Sequence, residues 1–339
     1  MEPAARAAGV RRRWIGTALA TIAALVIVVW FSRPSTIAQV AESIGWSGAF
    51  VILALYLIMQ VLRTARIWCA LSEPERPRFG TVFAIVAIHQ CLNHLLPLRL
   101  GEVGFPFLMK RYGGVPAANA ISLLLVVRLQ ELLVLALLFA GAVVTHIFFS
   151  INRLPASWLI AVAVMAAIAL AALFWSVPLV LARSSARIRR LQSFPGHIAT
   201  KVRLADFLDR LRTQWTARVS PARRALAWLL TVAIWMTSFF ASMEALRFGG
   251  FRISYAETIL GSTIASLSHV LPVNAFGSFG SLEAGWTFGF AMLGFEAKGI
   301  LAVGFVLHLL TVFFLAALSL LAWVSLPRAN RAEGTTAES

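Results

Sequence analysis

The chain has 339 residues, of which 60% are hydrophobic and only 13% are charged, and its mean hydropathy is +0.82. A soluble domain is closer to half apolar and a quarter charged, so this composition excludes an ordinary soluble protein and predicts an all-α polytopic membrane protein. A formal net charge of +16 is compatible with nucleic-acid binding. The basic residues, however, cluster between apolar runs, as topology signals and lipid contacts do. No nucleic-acid partner is therefore expected.

Three apolar runs in the first half of the chain are long enough to span a bilayer. They cover residues 14–31, 47–71 and 116–149. A basic segment precedes the first run, which has no convincing cleavage site, so we interpret it as an uncleaved span with the N-terminus in the cytoplasm. A fourth run, 80–97, would be about 25 Å long as a helix, slightly short of a hydrocarbon core.

A polar break follows the short run, in the stretch 92–103. It carries His94, Arg99 and Glu102, together with a proline and a glycine that interrupt helices. Ionisable groups at membrane depth are costly and usually serve a function. Helix-breaking backbone is tolerated there only when it is buried in protein or lines water. The stretch is therefore the first candidate site.

The distribution of charge indicates how this stretch enters the membrane. If 80–97 crossed the membrane alone, the strongly basic segment 183–224 would lie outside, against the positive-inside rule. If 80–110 enters and returns on the cytoplasmic side, most of the 30 Lys and Arg residues are cytoplasmic. The rule thus predicts a re-entrant helical hairpin, or a pair of tilted short helices, around Arg99.

The second half of the chain contains spans at 157–181, 225–246 and 299–326. Within the basic segment 183–224, apolar residues from Leu204 to Trp215 follow helical spacing. A basic amphipathic helix of this kind is typical of an anionic membrane surface; an ordinary solvated loop helix is the alternative.

A weak internal repeat relates the two halves. Leu92–Pro97 and Leu267–Pro272 share Leu, His, Leu and Pro at matching positions, and each is followed by a polar break that ends in a glutamate. Gly114 precedes Arg128 by the same number of residues as Gly294 precedes His308. The region 256–295 is then a second hairpin that enters from outside, although charge does not distinguish it from two full crossings.

The predicted fold is therefore about six full transmembrane helices plus two re-entrant hairpins in inverted repeat, with eight crossings as the alternative. Inverted repeats with broken helices are the architecture of many secondary transporters. Residues 1–326 form a single membrane domain with repeat-like halves at 80–149 and 256–326. Residues 327–339 are a flexible tail, and both termini are expected in the cytoplasm.

Two blocks resemble the membrane region of the lysylphosphatidylglycerol synthase family, a flippase-like domain. The first, Leu92–Glu102 with Arg128 and Glu131, is similar to the pattern Pro-x-Arg-x-Gly-Glu/Asp followed by Arg-x-x-Asp/Glu. The second, Leu271–Glu283, is similar to Pro-x-x-x-Gly-x-x-Gly-x-x-Glu. Its glycine-rich stretch begins Val-Asn-Ala-Phe where Pro-Gly-Gly is common in the family, and His308 stands where the last long helix often carries arginine. Both departures bear on the identity of the substrate more than on the fold.

The resemblance implies lipid translocation in a bacterial inner membrane, without the soluble aminoacyl-transferase domain of the full-length synthases. The expected substrate is a phospholipid or other lipid with a polar or anionic head group. The alternatives are a membrane enzyme that acts on a lipid-linked phosphate, with Glu102 or a histidine as general base, and a non-catalytic partner in a hopanoid or polyprenyl-glycan pathway. No nucleophile–base pair stands at a recognisable spacing, so a transporter is favoured over an enzyme.

The two arginines of the first block can each grip a phosphate in a bidentate way, and glutamates can neutralise them when the site is empty. Two structural interpretations remain open: Arg128 and Glu131 as a simple i,i+3 ion pair, and Glu283 as a helix cap. The candidate substrate-binding residues are Asn93, His94, Arg99, Glu102, Arg128, Glu131, His269, Asn274, Gly277, Gly280, Glu283 and His308.

No cofactor is expected. Cys69 and Cys91 match no metal spacing, and the histidines and glutamates have no local spacing that supports a metal. The oligomeric state is not predicted.

Overall fold

The computed structural model describes residues 18–19, 21–71, 76–97, 100–149, 156–190, 198–215, 220–268 and 276–326. Within these ranges the regular structure is entirely helical, which confirms the predicted all-α fold class. The helices are α1 (Thr21–Ser32), α2 (Pro34–Ala70), α3 (Phe79–Leu95), α4 (Gly101–Gly113), α5 (Ala117–Phe149), α6 (Ala156–Arg190), α7 (Ile198–Trp215), α8 (Pro221–Phe248), α9 (Tyr255–Ser268), α10 (Ser281–Ala291) and α11 (Ala297–Ser325).

In the described part of the chain, α2, α5, α8 and α11 are long and apolar enough to cross a membrane. They coincide with four of the predicted spans. The predicted span 157–181 falls within α6, which is 35 residues long. The span predicted at 14–31 is described only in part, as α1. Helix α2 is longer than predicted because it continues through a bend at Gly45, where φ is 55° and favours glycine.

The first predicted hairpin is present. Gly113, the last residue of α4, lies against Pro77, which precedes α3: a Cβ on Gly113 would stand 3.2 Å from the Cγ of Pro77. Helix α4 therefore returns to the level at which α3 begins. A single crossing by α3 with no return is incompatible with this contact.

The second pair of short helices, α9 and α10, is also a hairpin. Phe251 before α9 and Phe295 after α10 meet with ring centroids 6.3 Å apart. The two helices have 14 and 11 residues, which gives lengths of about 21 and 17 Å, well short of a hydrocarbon core of about 30 Å. These lengths favour a re-entrant hairpin over two further crossings.

The contacts between helices follow the predicted repeat. Helix α3 contacts α11, and its counterpart α9 contacts α5; α4 packs on α5, and α10 packs on α11. The flanking helices α2 and α8 lie antiparallel, because Arg223 donates to the carbonyl of Leu71 at 2.7 Å, while Gly48 contacts the ring of Phe248 at the other end. The repeat thus extends to α2–α5 and α8–α11, and the two units run in opposite directions.

Glycines allow close packing within each hairpin. A Cβ on Gly101 would stand 2.6 Å from the carbonyl carbon of Leu92 and would also collide with Asn93. A Cβ on Gly289 in α10 would collide with the backbone of Gly261 in α9. Each hairpin is therefore held by contacts that a larger residue would break.

The predicted amphipathic helix is α7. It packs on α6 and α5, and the carbonyl of Leu211 accepts a hydrogen bond from Ser122 at 3.0 Å. Ala205 and Leu211 are buried there, whereas Leu204 is exposed. Part of its apolar face is thus used inside the protein; its contact with an anionic leaflet remains a prediction.

Candidate functional site

A cavity of about 310 Å³ lies where the two repeat units meet. Helices of both units line it, and its walls carry ionisable side chains from each. Seven of the predicted site residues are brought together around it: Asn93, His94, Glu102, Arg128, Glu131, Glu283 and His308.

The first unit contributes a chain of ion pairs. Arg128 on α5 donates to Glu102 on α4 and to Glu131 on its own helix, both at 2.6 Å. The second oxygen of Glu131 accepts from Arg66 on α2, also at 2.6 Å. The i,i+3 pair is therefore present, as one link in a network that joins α2, α4 and α5.

Hydrogen bonds of the Asn93 and His89 side chains support the polar break. Asn93 donates to Glu102 at 3.4 Å and lies 3.2 Å from the Nε2 of His89. The Nδ1 of His89 contacts the carbonyl oxygen of Gly101 at 3.1 Å. These contacts hold the start of α4 against α3 and so fix the direction of the Glu102 carboxylate.

The second unit contributes a single buried pair. The Nδ1 of His308 on α11 lies 2.6 Å from the Oε1 of Glu283 on α10, and both side chains are 1% exposed. The other carboxylate oxygen accepts from the backbone N–H of Gly280 at 2.7 Å. Glu283 thus caps α10 and pairs with His308 at the same time.

These two sets of contacts occupy equivalent places in the repeat. In each unit, a glutamate in the first turn of the short helix meets a basic side chain on the following long helix: Glu102 with Arg128, and Glu283 with His308. Gly114 and Gly294, with φ of 69° and 89°, lie just after the short helices α4 and α10. The equal spacing from these glycines to Arg128 and His308 therefore reflects equivalent positions.

Arg63 and Arg66 on α2 were missed by sequence reasoning as site residues. Arg63 lines the cavity. When the Gln90 amide is oriented with its oxygen toward Arg63, this oxygen accepts from Nη1 and Nε at 2.9 and 3.0 Å. Both arginines stand near the end of an apolar run, where basic residues are typical of topology signals. The feature of the sequence that could have identified them as site residues is their three-residue separation, which places both on one face of α2.

The remaining predicted site residues divide into two groups. Gly277 and Gly280 lie within the described residues, but neither of them lines the cavity. The N–H of Gly280 donates to Glu283. Arg99, His269 and Asn274 lie outside the described residues.

The charges around the cavity explain what the site can bind. Three guanidinium groups, of Arg63, Arg66 and Arg128, stand in and beside it. Two of them are paired with carboxylates, whereas Arg63 has an amide oxygen as its acceptor. A guanidinium in a site of low dielectric attracts an anion strongly. Within the described residues, no group of three or more His, Cys, Asp or Glu side chains is arranged to hold a metal.

The family model described as "Lysylphosphatidylglycerol synthase TM region" matches residues 13–319. The chain belongs to this family. No curated protein and no solved structure matches it. Membership confirms the predicted resemblance and, together with the apolar helices, a membrane protein with a lipid-related function.

Proposed function

We propose that the protein moves a phospholipid with an anionic head group across the membrane through the cavity between the two hairpins. The observation that carries the proposal is Arg63, a cavity-lining guanidinium whose acceptor among the described residues is an amide oxygen, whereas Arg66 and Arg128 pair with carboxylates. The phosphodiester of a lipid head group offers the two oxygens that such a planar group binds.

The size of the cavity supports a head group as its occupant. At about 310 Å³, it is at the lower end of the range for small-molecule sites, about 300–1,000 Å³. It has room for a head group and not for acyl chains. The chains would remain in the bilayer while the head group passes between the two units.

The inverted repeat supports translocation over simple binding. Two hairpins of opposite direction meet at one central site, which is the arrangement from which alternating access arises in transporters. The ion pairs around Arg128 can open to admit a phosphate and close again when it leaves, so Arg128 is not left unpaired in the empty site.

The test is reconstitution into liposomes with fluorescent phosphatidylglycerol or phosphatidylethanolamine, followed by chemical quenching of the label in the outer leaflet. We expect faster movement of phosphatidylglycerol than in protein-free vesicles. Replacement of Arg63 by Gln removes a charge-assisted contact of about 1.5–3 kcal/mol, which corresponds to about 10- to 150-fold weaker binding.

Arg247→Gln is the matched control, because Arg247 is a half-exposed arginine on α8 that pairs with Glu244 at 3.5 Å and does not line the cavity. This variant should move lipid like the wild type. If the wild type moves none of the labelled lipids, the proposal is wrong. Conversion of a lipid into a new product would favour a membrane enzyme.

A further inference from the structure

The pair formed by Glu283 and His308 differs chemically from its counterpart in the first unit. Glu102 and Glu131 each pair with an arginine, whose charge is permanent. In the described part of the chain, Glu283 forms no ion pair with Lys or Arg, and its only basic partner is a histidine. Histidine is the side chain whose charge changes near neutral pH.

One nitrogen of this histidine is available for a proton. With Nδ1 as the donor to Glu283, the neutral ring leaves Nε2 as a bare acceptor. Nε2 is buried and has no hydrogen-bond partner among the described residues, although His308 is among the residues that line the cavity. Protonation would form an Nε2–H bond, with the proton taken from water or a buffer acid, and would turn a carboxylate beside a neutral ring into an ion pair.

The charge balance of the cavity links this proton to the head group. Among the described residues that form the site, Arg63, Arg66 and Arg128 are balanced by Glu102, Glu131 and Glu283 when His308 is neutral. A bound head group adds a negative charge to this cavity, and in a medium of low dielectric that charge favours a proton on His308.

Other groups that face the pair set its surroundings. The ring of Phe279 lies over His308 with centroids 4.5 Å apart, and the side chains that reach the cavity from α8 and α9 include serines. His94 on α3 is a second histidine in the wall, but its Nδ1 is engaged with the carbonyl of Gln90 at 3.0 Å. Of the residues that the structure describes, the other titratable or charged groups of the cavity wall are Tyr56 and Arg63 on α2, Glu102 on α4, and Arg128 and Glu131 on α5.

We propose that Glu283 and His308 form a proton-binding site that is loaded together with an anionic lipid head group, so that lipid transfer is coupled to proton movement. This inference rests on the proposed function, whose substrate it specifies as a monoanion that travels with a proton. One repeat unit then carries a fixed charge at Arg128, and the other carries a switchable charge at the equivalent His308.

Proton uptake tests the coupling. Purified protein in a weakly buffered detergent solution at pH 7 receives a water-soluble, short-chain phosphatidylglycerol, while a pH dye reports protons and calorimetry reports binding. We expect protons to be taken up when the lipid binds, up to about one per lipid, because the bound anion favours the protonated form of His308. His308→Arg should bind the lipid without proton uptake, and His308→Gln, which is closer in size, should also lose the uptake.

His146→Gln is the matched control, because it removes a histidine from α5 that does not line the cavity; it should keep the uptake. If the lipid binds without proton uptake by the wild type, or if His308→Gln keeps the uptake, the coupling is wrong while the proposed function stands.

Histidine-selective NMR without lipid tests the proton site separately. A ring signal assigned to His308 by its loss in His308→Gln should change with pH, and added lipid should increase its protonated fraction. Absence of titration overturns the proton site whatever the lipid does. If the lipid does not bind at all, the proposed function is wrong. If the lipid binds but leaves the protonated fraction of His308 unchanged, the coupling is wrong.

Discussion

Substitution of Gly101 by Ala should destabilise the protein through the first hairpin. The added Cβ would stand 2.6 Å from the carbonyl carbon of Leu92 and would collide with Asn93, including its backbone nitrogen. Backbone atoms of α3 cannot leave by a rotamer change, so α4 must move outward. Overpacking of this kind costs about 1–3 kcal/mol, and we expect the upper half of that range.

The measurement is thermal unfolding in detergent, followed by a dye that fluoresces on reaction with exposed thiols. Cys91 is buried on α3 and becomes reactive when the hairpin opens. A loss of about 2 kcal/mol lowers the midpoint by a few degrees for a protein of this size. Gly80→Ala is the matched control, since Gly80 is also a helix residue but its Cβ would meet nothing within 4 Å.

The Gly101 substitution should also reach the site. Glu102 is the next residue, and its carboxylate lies 2.6 Å from Arg128, so an outward shift of α4 lengthens this ion pair. We expect slower lipid movement by Gly101→Ala than by Gly80→Ala. Equal midpoints for the two variants would refute the argument that close packing of α3 and α4 requires glycine at this position.

Two further predictions concern topology and the attachment of α7. In a background without native cysteines, Lys110→Cys should react with an impermeant thiol reagent from the cytoplasm and Arg252→Cys only from outside; labelling of Lys110→Cys from outside would rule out the first hairpin as a cytoplasmic one. A hydrogen bond from Ser185 and the ion pair with Arg189 lower the pKa of Asp209. The ionised carboxylate therefore helps to hold α7 on α6 at neutral pH. This stabilisation is lost as the pH falls through the pKa of Asp209 in the folded protein. Asp209→Asn should accelerate hydrogen–deuterium exchange of α7 at pH 7, with a difference from wild type that shrinks below about pH 4, and an unchanged rate at pH 7 would contradict the role of this pair.

The helices and the first hairpin could be predicted because apolar length and charge asymmetry are recorded locally in the sequence. The repeat could be predicted from two short matches, and it placed Arg128 and His308 at equivalent positions before any contact was known. The structure adds that each of them meets a glutamate at 2.6 Å.

Other features depend on contacts between distant segments and left no local pattern. Arg66 looks like a topology signal until α5 brings Glu131 to it, 65 residues further along the chain. The close approach of Gly261 and Gly289 requires the crossing point of α9 and α10, which neither glycine marks alone. The use of the Gly280 N–H by Glu283 likewise depends on the turn geometry at φ 89°.

The ion pair of Arg66 has a consequence for the way the protein is made. Helix α2 is synthesised before α5 and α8, which supply the partners of Arg66: Glu131 at 2.6 Å and Thr231 at 3.4 Å. Until they emerge, a buried guanidinium in hydrocarbon would be costly, so the C-terminal turns of α2 should stay at the membrane surface in the nascent chain. The first unit would then insert fully once α5 supplies Glu131, and the contact of Arg66 with Thr231 on α8 would stabilise it further.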